Sequence, residues 1–343
     1  MINEEMNNKL KDYENAFTGI VGQHASKKQI ASALMSQRSV IISGPPGIGK
    51  TSIARTIANL LGETTVNDCG YNCSPDNPLC PTCIKAKNEG REMPTKFLKG
   101  EERFIRVQGS PDLTAEDLIG DIDPVIALQK GPLSIEAFTP GKIFRANNGI
   151  LFFDEINRAP QRLQNALLQV LEEKKATIGS YEIDFPAEFI LIGTMNPKDT
   201  STEKLSEVFL DRFDIIGMDY PSGMEEEAAI LSSKEHLSSI IVSESMKNIM
   251  VNFVQSIRHS PDVLFGPSVR GTIGLFDRSQ AYAALSRKDE VEIEDMRAVA
   301  ASVLSHRIVL KPSAGFDKSS FDFINEQMDA FLRSDATRSD ELR

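Results

Sequence analysis

Residues 39–62 read SVIISGPPGIGKTSIARTIANLLG. An apolar run (Val40–Ile42) leads into G-x-x-x-x-G-K-[ST] between Gly44 and Thr51, and a helix-prone segment from Ser52 to Leu61 follows, stopped at Gly62. A strand that delivers a glycine-rich loop onto a helix N-terminus is a phosphate cradle. The glycines let backbone N–H groups curl around oxygens, and the helix end adds positive potential. A chance match in a Gly/Pro turn would lack the flanking strand and helix. The segment therefore predicts a nucleoside triphosphate site formed by Gly44, Pro45, Pro46, Gly47, Ile48, Gly49, Lys50, Thr51 and Ser52. Lys50 is placed to reach the β- and γ-phosphates, and the Thr51 hydroxyl to bind Mg²⁺.

A second apolar run, Ile150–Phe153, ends in Asp154-Glu155. An acidic residue at the end of a buried parallel strand stands beside the phosphate loop. Asp154 is expected to hold Mg²⁺, and Glu155 to polarise the water that attacks the γ-phosphate. The stretch from Lys50 to Asp154 is far longer than one helix and one strand require. Two candidate insertions are visible in it: a cysteine-rich segment (67–85) and a Gly/Pro-rich one (110–142).

The chain has 343 residues, 41% hydrophobic and 25% charged, which suits a two-domain globular protein. Its apolar stretches are too short to span a bilayer, and the opening MINEEMNNKLKDYENAF has no signal-peptide core, so a cytoplasmic location without membrane insertion is expected. A net charge of −11 argues against a nucleic-acid coat but not against a narrow nucleic-acid channel.

Several further segments occur in a characteristic order: FTGIVGQ (17–23), RVQGSPDLTAEDLIG (106–120), FTPGKIFRANNGILFFDEINRA (138–159), LIGTMNP (191–197), LDRF (210–213) and GPSVRG (266–271). Together with the phosphate loop they resemble the AAA+ ATPases, in the branch containing MoxR-type proteins and the small ATPase subunit of magnesium chelatase. The resemblance implies an α/β fold: a parallel five-stranded P-loop sheet flanked by helices over 1–222, then a smaller α-helical lid over 223–343. It implies ATP and Mg²⁺ as cofactors, with Ile20 and Val21 packing on the adenine. Asn196 is implied to contact the attacking water or γ-phosphate. Arg212 would be an arginine finger reaching a neighbouring subunit's nucleotide, and Arg270 a second phosphate sensor.

The arginine-finger reading has a physical rationale, because a guanidinium offers a rigid fork to the charge spread over the transferring phosphoryl group. Arg145 and Arg158 are candidate interface residues. Such a finger implies a homo-oligomeric ring, a hexamer in related proteins, whose family partners carry a von Willebrand A-type domain. The Gly179-Ser180 turn, between β-prone runs in 176–189, reads as a hairpin. From about residue 222 helical periodicity takes over, at 224–233, 243–258, 272–286 and 293–310.

The chain's four cysteines lie in one stretch, Cys69-x₃-Cys73-x₆-Cys80-x₂-Cys83. The spacing suits a structural zinc site, with free or redox-active thiols and an iron–sulfur cluster as alternatives.

Three functions remain open from the sequence. The first is a MoxR- or chelatase-like ring motor that remodels a partner or drives metal insertion. The second is a DNA-metabolism ATPase of the clamp-loader or branch-migration type, and the third a nucleotide-gated switch with little turnover.

Overall fold

The computed structural model describes residues 4–131, 134–177, 184–199, 205–221, 223–233, 239–315 and 318–341. The chain divides into two compact units: Met1–Gly44 with Gly49–Met218, and Pro45–Ile48 with Asp219–Arg343.

The first unit is built on a five-stranded sheet. Its strands are β1 (Ser39–Ser43), β2 (Phe104–Gln108), β3 (Ile150–Asp154), β4 (Ile190–Met195) and β5 (Phe213–Gly217), in the order β5-β1-β4-β3-β2. Each paired set is parallel. The three inner strands are apolar along most of their length because helices cover both faces of such a sheet. Val40, Ile41 and Ile42 of β1, Ile150–Phe153 of β3 and Ile190–Ile192 of β4 are all buried. The edge strands β2 and β5 keep exposed positions, as half-covered strands do.

Register fixes what stands at each rim. Ile192 of β4 pairs with Val40 of β1 and with Phe152 of β3, so the strands end level with one another. The loop after β1 and the acidic pair after β3 consequently share the carboxyl rim, on either side of β4. Helices α1 (His24–Met35), α2 (Lys50–Leu60), α3 (Pro81–Asn88) and α4 (Gln161–Glu173) accompany the sheet.

Between β2 and β3, residues 115–140 form the helix Ala115–Ile119, the helix Pro124–Lys130 and an antiparallel ribbon of Gly120–Ile122 with Phe138–Pro140. After α4, Lys175–Thr177 pairs antiparallel with Asp184–Pro186. The Gly179-Ser180 turn expected between them lies outside the described residues.

The second unit packs α5 (Met224–Ser232), α6 (Glu244–Arg258), α7 (Val269–Leu285), α8 (Ile293–Leu304) and α9 (Ser320–Glu341) around Met250, Phe253, Leu275, Phe276 and Ile324. One expectation is corrected here. The helix expected over 293–310 stops at Leu304, and Val309–Leu310 pairs antiparallel with Val263–Phe265. The β-branched run Ile308-Val309 favours that extended conformation over a further helical turn.

Glu227, the third glutamate at the start of α5, points inward and is fully buried. Arg258 meets it with two hydrogen bonds, of 2.9 and 3.0 Å, Gln255 donates at 3.0 Å, and the Thr272 hydroxyl donates as well. Arg258 also caps the Tyr220 ring at 4.7 Å and donates to the Pro267 carbonyl at 2.8 Å. Burial by itself would raise the Glu227 carboxyl, but the bonds from Arg258 and Thr272 more than offset it and hold it below the ordinary range.

A carboxyl depressed in the folded state stabilises above its unfolded pKa, near 4.3, and loses that contribution as pH falls toward its lower folded value. Glu227→Ala strands Arg258 without its counter-charge, so a loss of about 3–5 kcal/mol is expected. Urea unfolding checks this: a midpoint shift worth under ~1 kcal/mol at unchanged slope would show that the pair contributes little.

Candidate functional site

The phosphate loop forms as its glycines require. Gly47 (φ 77°) and Gly49 (φ 95°) adopt left-handed conformations, which turn successive backbone N–H groups to one side as an anion nest. Gly49 is the N-cap of α2 and offers no side chain, leaving the first N–H groups of that helix without a side-chain cap. Lys50 Nζ donates across the loop to the Gly44 carbonyl at 2.6 Å. Thr51 and Ser52 follow in the first turn of α2.

On the far side of β4, Asp154 ends β3 at 14% side-chain exposure. Its Oδ1 accepts from the Thr194 hydroxyl at 2.6 Å and its Oδ2 from Arg106 at 2.7 Å. The same Thr194 oxygen accepts the Glu155 N–H at 2.9 Å. One hydroxyl on β4 thus knits together both acidic residues at the end of β3. Thr194 is 0% exposed, whereas the Arg106 side chain is 49% exposed. The threonine contact is buried, whereas the arginine contact lies at the surface.

Glu155 sits in a left-handed turn (φ 54°, ψ 52°), unusual for a residue with a side chain. Gly109 makes the turn possible, since a Cβ there would lie 2.0 Å from the Glu155 carbonyl oxygen. Gly109 also donates its N–H to the Asp154 carbonyl at 2.7 Å. The turn carries the Glu155 carboxylate out beyond the sheet, where Gln108 donates at 3.1 Å and Arg158 lies at 3.2 Å. Arg158 is shared with Asp199, at 2.6 Å. Asn196 opens the turn after β4; its Oδ1 accepts from the Lys198 N–H at 3.2 Å and its carbonyl from Asn157 at 3.3 Å.

Arg212 is elsewhere. It immediately precedes β5, where Phe213 pairs with Ser39 at the start of β1 and Gly217 with Ser43 at its end. In a parallel sheet this puts Arg212 on the amino rim, a strand length of roughly 15 Å from the rim that bears Lys50, Asp154 and Asn196. Its guanidinium pairs with Glu172 at the end of α4 and with Asp211 at 2.8 Å. Arg270 is an exposed residue in the first turn of α7, in the second unit. Ile20 and Val21 are half-buried in the segment before α1. Arg145 is exposed and donates no bond to the acidic pair.

Sequence reasoning passed over Thr194 and Arg106 as site residues, although both stand in quoted segments. The available signal was chemical: a hydroxyl at a fully buried strand position needs a partner, and the partner had to come from a neighbouring strand.

The four cysteines come together. Their sulfurs all lie within 4.8 Å of one another, Cys73, Cys80 and Cys83 buried and Cys69 half-buried. Such crowding opposes simultaneous ionisation. Hydrogen bonds from Cys73 and Cys80 lower the Cys69 thiol, and in turn Cys69 pushes Cys73 up to about 12 and Cys80 upward as well.

Comparison with known families agrees with this architecture. A model described as "ATPase family associated with various cellular activities (AAA)" matches residues 92–215, an AAA lid domain matches 255–327, and "Novel STAND NTPase 3" matches 23–75. The chain is 28% identical over 309 residues to the uncharacterized protein YeaC of Bacillus subtilis, covering 83% of this chain and 82% of that one. It is 27% identical to the magnesium-chelatase subunit ChlI homolog of Methanocaldococcus jannaschii, covering 88% of each. Chaperone MoxR1 of Mycobacterium tuberculosis is 25% identical, with 89% of this chain and 76% of that one covered. A phosphate loop and an acidic pair share one rim of a β5-β1-β4-β3-β2 sheet and a helical unit follows; with these matches, the chain carries an AAA domain and an AAA lid domain and is similar to the MoxR and magnesium-chelatase branch of the AAA+ ATPases.

Proposed function

We propose that the chain hydrolyses ATP as a subunit of a cytoplasmic homo-oligomeric ring, a hexamer as in related proteins, and that turnover remodels a partner protein or drives metal insertion. The observation that carries this reading is the division of the machinery between two rims. Lys50, Asp154 and Glu155 belong to one rim of the sheet and Arg212 to the other. A finger on the amino rim serves a nucleotide held by another copy of the chain.

The residues present fit Mg·ATP. The nest of Gly47 and Gly49, the N-terminus of α2 and the Lys50 ammonium suit the phosphates. Mg²⁺, when bound, neutralises charge on the β- and γ-oxygens. Thr51 and Asp154 would hold it, with Arg106 withdrawing from Asp154 while Thr194 keeps the carboxylate oriented. Glu155 would take up the proton of the attacking water, aimed there by its left-handed turn. Asn196 would orient that water, and Ile20 and Val21 would flank the base. Arg270 would act as a second phosphate sensor. The domain limits stay as 1–222 and 223–343 in this reading.

For the partner, the family resemblance supports a protein with a von Willebrand A-type domain. We further read the four thiolates as ligands of one structural zinc ion, separate from the nucleotide.

Affinity capture with Glu155→Gln in ATP and Mg²⁺, with bound proteins identified by mass spectrometry, tests the functional reading. A von Willebrand A-type partner is the expected result. Capture of a sliding clamp, polymerase subunit or junction-binding protein, with ATPase stimulated by DNA in a salt-sensitive way, would replace it with the DNA-metabolism reading.

A further inference from the structure

Resting on the zinc reading, we propose that the metal bound by Cys69, Cys73, Cys80 and Cys83 works as a clamp on the turn Asn147–Gly149 that launches β3, so that zinc occupancy sets the stability of the strand carrying Asp154 and Glu155.

The first half of the argument is the donor set. A tetrahedral ZnS₄ centre with bonds of about 2.3 Å needs sulfurs about 3.8 Å apart. Four sulfurs already gathered within 4.8 Å need only a small contraction to meet it. Backbone N–H groups prepare them for negative charge. Cys73 Sγ accepts from Leu79 at 3.3 Å and from Cys80 at 3.2 Å, and Cys80 Sγ accepts from Cys83 at 3.4 Å at the N-cap of α3. These bonds orient the sulfurs as outer-shell partners of a metal do. Soft thiolates select zinc over magnesium, so the two metals do not compete.

The second half is what the loop holds. Residues Tyr71 and Asn72, between the first two cysteines, are tied to the segment entering β3 by three hydrogen bonds. Asn72 donates to the Arg145 carbonyl at 2.6 Å, Asn147 to the Tyr71 carbonyl at 3.0 Å, and Asn148 to the Asn72 carbonyl at 3.0 Å. Tyr71 also packs against Phe144, ring centroids 5.4 Å apart. The same asparagines reach on into the sheet. Asn147 Oδ1 accepts the Glu188 N–H at 2.8 Å, and the Asn148 N–H donates to the Glu188 carbonyl at 2.9 Å, just ahead of β4. The Asn148 carbonyl takes the Arg103 guanidinium, which also donates to the Leu61 carbonyl at 2.7 Å, beyond the end of α2. Apart from its sulfurs the loop gives the core only Tyr71 and the half-buried Leu79, so the metal adds the constraint that keeps Tyr71 and Asn72 in place.

Hydrogen exchange on the full chain, without nucleotide or Mg²⁺, separates the two claims. Protein from zinc-supplied cells is expected to carry about one zinc per chain. Stripping it with a zinc-selective chelator, or Cys80→Ser, should release protection at 144–154 as well as at 69–88. The expected acceleration is about a hundredfold, the factor by which a ligand at 100 times its Kd suppresses opening. Re-adding Zn²⁺ to the chelated protein should restore protection. Asn147→Ala should keep its zinc and still loosen 147–154. Metal-free or iron-loaded wild-type protein would overturn the zinc reading. Zinc bound in full, with its removal confined in effect to 69–88, would overturn the clamp and leave the zinc reading intact.

Discussion

Glu155→Gln is expected to bind Mg·ATP with wild-type affinity and to hydrolyse it about 10²–10⁴-fold more slowly, the range a positioned general base contributes. The substitution keeps the shape of the side chain and an acceptor for Gln108, so the left-handed turn, set by Gly109 and by the bond from the Glu155 N–H to Thr194, is undisturbed. What disappears is the ability to take a proton from water. Titration with a fluorescent ATP analogue reads the affinity, and phosphate release reads the turnover. Turnover within twofold of wild type would remove Glu155 as the base and move attention to its neighbours at the carboxyl rim. Loss of binding instead would mean that the carboxylate is needed to shape the phosphate loop.

Arg212→Ala is expected to lower turnover by about 10³-fold or more, as loss of an arginine finger does, with melting lowered by no more than a few degrees. The ion pairs it gives up, to Glu172 and Asp211, involve a side chain 34% exposed and carboxylates more exposed still. Pairs of that kind contribute at most about 1 kcal/mol. Position makes the decisive test a mixing experiment. An Arg212→Ala chain retains a complete carboxyl rim, and a Glu155→Gln chain retains its finger. Combining the two inactive variants should regenerate interfaces with both parts and recover a fraction of wild-type activity. Well-mixed rings without recovery would assign Arg212 a structural role with Glu172.

Much of this was legible because the informative segments are local. The phosphate loop, the Asp154-Glu155 pair and the three inner strands are contiguous runs, and continuous apolar stretches belong to strands covered on both faces. The cysteines were equally readable, all in one stretch. What stayed hidden depends on pairing between distant segments. Thr194 and Arg106 become site residues only because β4 and β2 lie on either side of β3 in a particular register. Glu227 is the last of three consecutive glutamates, and nothing in the run itself sets it apart from Glu225 and Glu226. Its inward orientation follows from helical phase, four residues before the buried Leu231, and its charge is tolerable only because Arg258 comes back to it from another helix. The ribbon of Val263–Phe265 with Val309–Leu310 was missed for the same reason, since either half alone is too short to declare itself.

On the proposed ring reading, the placement of Arg212 and Glu155 on opposite rims would also make the chain a sensor of its own abundance. A solitary copy would then load fuel but lack the means to spend it, while its Arg212 rests on Glu172. Specific activity should therefore climb with concentration and collapse on dilution, which ties ATP consumption to assembly without any separate inhibitor. Synthesis and turnover of the chain would then act as the throttle.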